Sequence, residues 1–303
     1  MQKKPVAAVI NFCTNESRFL TATITEASRF ASQILVSVSD HFFDGTVENL
    51  ELLDQIYRSF PGCTFIQYPF IPQKIPRRLF KDISHEHFWH SVSRLVAAQF
   101  LSPSIESVLF IDADEVPDGR RFQSWLEDSD YRQHTALRLS NYWYFREPKY
   151  QATSWENSVL LVQRRSLENS LLLADRERDA IYDELPGPKR SHVTDANGEP
   201  MFHHFSWVRT REEMLKKVTS WGHKADRDWA SLVEKEFLGP FSGRDFVHGY
   251  EFKTVSAPFE IDLGPVHFQP ILERASFKKL DDSQLLSLLH ETNPSIWRRI
   301  FRW

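Results

Sequence analysis

The first 120 residues alternate between two hydrophobic periodicities. Continuous apolar runs predict four buried strands, at residues 6–12, 34–39, 64–68 and 108–111. Apolar side chains at helical spacing predict three helices between them, at residues 17–31, 46–60 and 84–100. Strands that alternate with helices indicate a mostly parallel sheet of the α/β class, with helices on both faces. Such sheets bind ligands beyond the carboxyl ends of their strands.

The pattern changes after Gly119. Strands are predicted at 137–145 and 158–163, and a capping box at Thr210 and Glu213 predicts the start of a helix. The segment 175–200 is polar and contains the turn sequences PGP and NG, which are typical of an exposed active-site loop. The second half of the chain is therefore predicted to be a less regular α+β region with C-terminal helices.

Composition limits the classes of function. The chain has 303 residues and a net charge of −4, which argues against a general nucleic-acid binder. Its two cysteines suggest neither a disulfide framework nor a thiolate zinc site, so a reducing, cytoplasmic location is expected. The N-terminal apolar run is interpreted as a strand rather than a signal peptide, and no run is long enough to span a bilayer.

Three acids follow the fourth predicted strand, in the sequence VLFIDADEVPDG. Carboxylates as close as Asp112, Asp114 and Glu115 repel one another, and burying them is costly without a compensating cation. Two carboxylates at i and i+2 after a buried strand can hold a divalent cation whose other ligands are diphosphate oxygens. The alternative is a loop or helix cap of solvated acids.

Two further stretches carry candidate chemistry. Asp40 follows the second strand, where its carboxylate could accept a hydrogen bond from a nucleobase or ribose, whereas Asp44 and Thr46 are expected to cap the next helix. In FHHFSW, strand alternation would let only one of His203 and His204 face a metal site, and both could instead pack in the core.

The order of these elements and motifs resembles the nucleotide-sugar-binding half of GT-A-fold glycosyltransferases, most closely the inverting family 2. The resemblance covers about residues 5–120. Asp40 and Asp44 match the acids of a DDGSxDGT-like turn, Arg94 matches the arginine of an ARN-like helix, and Asp112 with Asp114 matches the DxD motif. Glu115 resembles the last acid of DxDE-containing relatives. The chain departs from the family in having no second Asp before Asp40 and Leu95 after Arg94.

The resemblance implies a donor half at residues 1–120 and an acceptor half at 121–303 of one continuous catalytic domain. It implies that Asp40, Arg94, Asp112 and Ala113 bind the nucleotide sugar, UDP- or GDP-linked. It also implies that Asp112, Asp114 and either His204 or His203 hold Mn²⁺ or Mg²⁺. Trp207 could stack on the sugar of a glycan or glycolipid acceptor, or be buried. No nucleic-acid partner is expected.

An inverting transferase also needs a base for the acceptor hydroxyl. Glu184, with Asp183 beside it, lies where the family's catalytic acids would fall, and Glu156 is the rival. Two other functions fit the acids: a haloacid-dehalogenase-type phosphatase that uses the DxD, and a non-catalytic nucleotide-sugar-binding domain.

The C-terminal tail, SIWRRIFRW at 295–303, interleaves arginines with apolar side chains. Such a tail could make a peripheral contact with an anionic membrane surface or pack on the protein body.

Overall fold

The computed structural model describes residues 5–75, 85–174, 176–220, 227–271 and 275–292. Its helices are α1 (Ser17–Phe30), α2 (Leu50–Tyr57), α3 (His85–Ala98), α4 (Gly119–Asp128), α5 (Asn169–Leu172), α6 (Arg178–Glu184), α7 (Arg211–Ser220), α8 (Trp229–Glu236) and α9 (Asp282–Thr292). Its strands are β1 (Val6–Phe12), β2 (Gln33–Ser39), β3 (Thr64–Tyr68), β4 (Ser107–Asp112), β5 (Glu115–Pro117), β6 (Ala136–Phe145), β7 (Glu147–Gln163), β8 (Lys189–Val193), β9 (Phe202–Trp207), β10 (Phe252–Thr254) and β11 (Ser276–Lys279).

One mixed sheet organises the described chain. Its strand order is β11-β3-β2-β1-β4-β7-β6-β9-β5, with β10 paired to β7 and β8 paired to β6. The pairs from β11 to β4 are all parallel, whereas β7 is antiparallel to both β4 and β6. The predicted α/β class, with a mostly parallel central sheet and flanking helices, is confirmed.

Helices cover both faces of the parallel strands. Ala8 and Ile10 of β1 pack in a core cluster with side chains of α1, α2 and α4, whereas Ala7 and Val9 pack in a second cluster with side chains of α3 and α9. All seven residues of β1 are buried, as expected for a central strand of a sheet covered on both sides. This strand is therefore a rigid support for the residues that follow its neighbours.

The turn after β4 is fixed by backbone contacts. The Ala113 N–H donates to the Asn11 carbonyl at 3.0 Å, and the Thr23 hydroxyl donates to the Ala113 carbonyl at 2.6 Å. A Cβ on Gly119 would lie 2.2 Å from the Glu26 carbonyl oxygen, so only glycine lets α4 start this close to α1. These contacts position the three acids between two helices and β1.

The structure corrects several predicted elements. The helix predicted at 46–60 begins at Leu50 and is capped by Asn49, which accepts from the Leu52 N–H at 3.0 Å, whereas Asp44 accepts from the Thr46 N–H in a tight turn. The segment predicted as a loop at 175–200 contains α6 and β8. Predicted strand 158–163 is the end of the 17-residue β7.

The tail at 295–303 lies outside the described residues, so its membrane contact stays a prediction. Among the described residues, no helix combines the length and the apolarity that a bilayer-crossing segment requires.

Candidate functional site

The candidate site lies at the carboxyl ends of β1, β2 and β4. These strands run parallel, and Asn11 of β1 is in register with Asp112 of β4. A pocket opens at this edge, and its lining includes Glu16, Ser39, His41, Glu48, His90 and Lys217. The structure therefore has a crevice at this edge, and Lys217 of its lining lies 3.9 Å from Asp114 of the DxD motif.

Asp112 is held by two arginines. Arg94 Nη2 donates to Asp112 Oδ1 at 3.0 Å, and Arg178 Nη2 donates to Asp112 Oδ2 at 3.0 Å. Burial raises the pKa of Asp112, but the charges of Arg178 and Arg94 outweigh it and lower that pKa to about 2. Asp112 is therefore an ionised carboxylate whose two oxygens both accept from guanidinium groups.

Glu115 is fully buried and shares Arg178 with Asp112. Arg178 donates to both Glu115 oxygens, Nη1 to Oε2 at 2.5 Å and Nη2 to Oε1 at 3.1 Å. The backbone N–H of Asp112 also donates to Glu115, at 2.8 Å. A fork-to-fork pair of this kind combines strong hydrogen bonds with fixed geometry. Glu115 therefore holds the Asp112 backbone and Arg178 in place, and its carboxylate is not available to a ligand.

Arg94 is 1% exposed and is held from its other side by Glu177. Arg94 Nη1 donates to Glu177 Oε2 at 2.8 Å, and His90 Nδ1 lies 3.2 Å from Glu177 Oε1. Burial raises the pKa of Glu177, but the charges of His90, Arg94 and Arg178 hold it well below its usual range. The backbone here is strained, because the consecutive residues Arg176 and Glu177 have φ of 62° and 52°.

Asp114 has a different environment. It is 4% exposed, and within the described residues nothing donates a hydrogen bond to its carboxylate. Oδ1 lies 3.7 Å from His204 Nε2, whereas Oδ2 lies 3.9 Å from both Arg209 Nη2 and Lys217 Nζ. Burial and the nearby charge of Glu16 raise the pKa of Asp114 to about 6. Its carboxylate is thus buried and incompletely compensated, unlike that of Asp112.

His204 connects Asp114 to a third carboxylate. His204 Nδ1 lies 3.4 Å from Glu156 Oε2, as an ion pair without hydrogen-bond alignment, and His248 Nε2 lies 3.6 Å from Glu156 Oε1. The Trp143 ring packs against both histidines. Burial lowers the pKa of His204, but the carboxylates of Glu156 and Asp114 outweigh it and raise that pKa to about 9.

His203 lies on the opposite face of β9. Its Nδ1 is 2.8 Å from Tyr144 Oη, and burial lowers its pKa to about 3. Strand alternation therefore separates the two histidines, and the structure brings His204, not His203, next to the DxD acids.

The residues fit a divalent cation at one position. Asp114 Oδ1 and His204 Nε2 face each other without a hydrogen bond, and oxygen with imidazole nitrogen is a donor set suited to such ions. Both oxygens of Asp112 are occupied by arginines. Within the described residues, no group of three or more histidine, cysteine, aspartate or glutamate side chains could hold a metal. A cation here would need further ligands from a bound substrate.

Two further predicted site residues, Asp40 and Trp207, lie outside the acid cluster. Asp40 accepts from the Phe70 N–H at 2.8 Å and pairs with His41 at the end of β2. Trp207 is 1% exposed and packs against Trp229, so its ring is a core side chain.

Of the candidate bases, two lie on α6 and one lies in the acid cluster. Asp183 and Glu184 are exposed on α6, and Asp183 accepts from Arg176 at 3.1 Å. Glu156, by contrast, is the carboxylate that contacts His204. Among the three candidate bases, Glu156 is linked to Asp114 through one side chain, His204.

The sequence patterns assign no role in the site to the cations Arg178, Arg209 and Lys217, or to the acid Glu177. Arg178 and Glu177 come from the polar segment RERDAIYDE, which has no motif that predicts its partners. Arg209 pairs with Glu16 and donates to the Asn15 carbonyl, a contact between residues almost 200 positions apart. Arginines are spread along the whole chain, so their positions in the sequence do not distinguish surface charges from site charges.

No protein-family model matches the chain, and no curated protein is significantly similar to it. Solved structures are similar at low identity. The glycosyltransferase GlyE of Streptococcus pneumoniae TIGR4 is 12% identical over 78% of this chain and 64% of GlyE, with a TM-score of 0.36. The chain thus spans less than two thirds of GlyE.

Two other structures extend the comparison. An active-site mutant of LgtC is 11% identical over 74% of this chain and 95% of LgtC, with a TM-score of 0.38. A Drosophila β-1,4-galactosyltransferase 7 mutant, in complex with manganese, UDP-Gal and xylobiose, is 17% identical over 67% of this chain and 71% of that one, with a TM-score of 0.30. GlyE and the Drosophila enzyme are glycosyltransferases, the class that the sequence resembles, but similarity at this level identifies no substrate.

Proposed function

We propose that the protein is a metal-dependent glycosyltransferase that moves a sugar from a nucleoside-diphosphate sugar to a hydroxyl of a glycan or glycolipid, with inversion at the anomeric carbon. The observation that carries the proposal is the contrast between two acids after β4. Asp112 is neutralised by Arg94 and Arg178, whereas Asp114 faces His204 without a hydrogen bond and lies 3.9 Å from Lys217, which lines the crevice pocket.

In this proposal Asp114 and His204 hold Mn²⁺ or Mg²⁺, which would stabilise the charge of the leaving diphosphate. Lys217 lines the crevice pocket and lies beside the other oxygen of Asp114, where it can attract the donor's phosphates. In the same proposal, Asp40, which follows β2, accepts a hydrogen bond from the nucleoside. Arg94 acts as a positioning residue, because it is buried and holds Asp112.

Glu156 is the proposed general base. The acceptor hydroxyl gives its proton to Glu156, the acceptor oxygen bonds to the anomeric carbon, and the bond from that carbon to the diphosphate oxygen breaks. The histidines on either side of Glu156, at 3.4 and 3.6 Å, orient its carboxylate. Asp183 and Glu184 are exposed on α6 and have no comparable setting.

The phosphatase alternative is less well supported by the geometry. A phosphatase of that type would use Asp112 as a nucleophile, yet both of its oxygens accept from guanidinium groups. Asp281, which could have been part of a later acid pair, instead caps α9 by accepting from the Gln284 N–H at 2.9 Å.

Calorimetric titration with UDP and with GDP, each with and without Mn²⁺, tests the proposal, followed by hydrolysis assays on the matching donor sugars. We expect one nucleotide to bind more tightly with Mn²⁺, and Asp114→Ala to lose both this gain and turnover. Asp54→Ala, an exposed acid of α2, serves as the control and should behave like the wild type. Retained turnover in Asp114→Ala would overturn the assignment, and nucleotide binding without any donor turnover would indicate a non-catalytic binding domain.

A further inference from the structure

A second cavity lies on the face of β9 opposite the acid cluster. Its volume is about 440 Å³, and its walls come from α1, the start of α4, the strands β6, β7 and β9, and the segment 255–259. This size is within the usual range of small-molecule sites, roughly 300 to 1,000 Å³. The sheet separates it from the nucleotide crevice, because His203 lines this cavity while His204 contacts Asp114 on the other side.

A hydrogen-bond chain fixes the state of His203. Gln151 Nε2 donates to Tyr144 Oη at 2.8 Å, and the described residues offer the hydrogen of the Tyr144 hydroxyl one acceptor, His203 Nδ1, also at 2.8 Å. With Nδ1 accepting this hydrogen bond, the ring hydrogen of His203 is on Nε2. Within the described residues this N–H has no hydrogen-bond partner, although His203 is only 7% exposed.

Cationic donors surround the same cavity. Arg121 Nη2 pairs with Asp195 at 2.5 Å and its Nη1 lies 3.7 Å from Asp118 Oδ2, whereas Arg120 has no ion-pair partner among the described residues. Both arginines lie in the first turn of α4, whose cap, Asp118, accepts from the Arg121 N–H. A guanidinium without an ion-pair partner and an unpaired imidazole N–H, lining the same cavity, are donors that match an oxyanion.

Aromatic rings form the rest of the wall. The rings of Tyr142 and Phe259 both lie 5.2 Å from the His203 ring, Phe259 edge-on. The carboxylates of Glu26 and Asp118 also line the cavity and can accept from hydroxyl groups. Aromatic faces combined with hydroxyl acceptors suit the C–H face and the hydroxyls of a sugar ring.

We propose that this cavity is a second carbohydrate-binding site, which takes a sugar residue bearing a carboxylate or a phosphate group. Arg120 and His203 Nε2 bind the anionic group, and Tyr142 with Phe259 packs against the ring. The site does not depend on nucleotide-sugar transfer at the crevice, since no residue of its anion-binding pair contacts the DxD acids.

Saturation-transfer NMR and calorimetry with glucuronate, glucose 6-phosphate, glucose and inorganic phosphate test the proposal. We expect glucuronate or glucose 6-phosphate to bind at least about tenfold more tightly than glucose and than phosphate alone, and the better of the two identifies the anionic group. Equal binding of inorganic phosphate would overturn the sugar assignment. Equal binding of glucose would overturn the anionic one, and no binding at about 10 mM would overturn both.

Variants locate the site. Arg120→Ala removes an exposed side chain and should weaken the bound probe about five- to tenfold, and Phe259→Ala should weaken it by a similar factor. Arg58→Ala, an exposed arginine of α2, is the matched control and should change nothing. Nucleotide binding at the crevice should be the same in all three variants, which checks that they are folded. Unchanged probe affinity in both Arg120→Ala and Phe259→Ala would place binding elsewhere and contradict the proposal.

Discussion

Arg178 donates to Asp112 across 3.0 Å, from a position 66 residues further along the chain, and the same guanidinium binds both oxygens of the fully buried Glu115. Two of the three acids that follow β4 are thus compensated by the protein itself. The cation that compensates Asp112 and Glu115 is therefore the guanidinium group of arginine side chains. Asp114 is the acid whose oxygens have no hydrogen-bond donor within the described chain.

Replacing Arg178 by Ala should destabilise the protein strongly. The substitution leaves Glu115 buried without its guanidinium partner, and breaking a buried ion pair from one side costs about 3 to 5 kcal/mol. The free energy of unfolding in urea measures the effect. Arg176→Ala is the matched control, because Arg176 is exposed and its pair with Asp183 is worth at most about 1 kcal/mol. Equal losses in the two variants would contradict the role given to Arg178.

The stability of the protein should fall in acid partly through Glu177. Because its pKa is held well below the usual range in the folded state, its contribution is fully present above the pKa of the unfolded chain, about 4.3, and is lost as the pH falls through the folded value. Glu177→Gln cannot titrate and keeps an acceptor for Arg94.

Unfolding midpoints of the wild type and Glu177→Gln between about pH 3 and 7 measure this contribution. The difference between the two proteins should be largest at neutral pH and shrink toward acid. A difference that does not depend on pH would show that Glu177 acts by packing rather than by charge.

Gly119→Ala should cost about 1 to 3 kcal/mol of stability. The new Cβ would lie 2.2 Å from the Glu26 backbone carbonyl, so α1 and α4 would have to move apart. Gly62→Ala is the matched control, because a Cβ there meets no atom within 4 Å. Thermal denaturation of the two variants separates the close approach from the general effect of removing a glycine. Similar melting temperatures for both would contradict the close contact.

Glu156→Gln should lower the transfer rate by about 100-fold or more and leave donor affinity nearly unchanged, since a general base acts on the acceptor hydroxyl. Glu184→Gln and Asp183→Asn are controls that should retain activity, because both side chains are exposed on α6. Steady-state rates together with nucleotide titrations in Mn²⁺ make the distinction. A loss of activity in Glu184→Gln alone would move the base to α6, and a loss of Mn²⁺-dependent affinity in Glu156→Gln would show that Glu156 orients His204.

Strands β1 to β4 of the parallel half of the sheet could be predicted from sequence because each is a mostly apolar run. The predicted bounds of β1 (6–12) and β3 (64–68) match the structure. Strand β4 is longer than the predicted strand 108–111 by one residue at each end. Buried central strands leave this signal because both of their faces contact helices. The late strands β10 and β11 have exposed or half-exposed side chains, so their pairing depends on partners that the local pattern does not reveal.

The acids of the site were recognisable, but their partners were not. The spacing of Asp112 and Asp114 after a buried strand predicts a chemical role. Arg178, by contrast, contacts Asp112 from α6, a polar helix whose sequence pattern resembles that of any exposed helix. The different states of Asp112 and Asp114 come from contacts between distant parts of the chain. Such contacts are decided by the tertiary fold, and so the distinct roles of the two residues could not be predicted from their spacing.

The pairing of β11 with β3 has a consequence for synthesis of the protein. Strand β3 acquires its outer neighbour from residues 276–279, which are synthesised long after β3 itself. A nascent chain that stops short of Ser276 therefore presents β3 as an open edge, with free N–H and C=O groups that can pair with another chain. Until β11 has been synthesised, the parallel sheet made first remains open to misassembly at this edge.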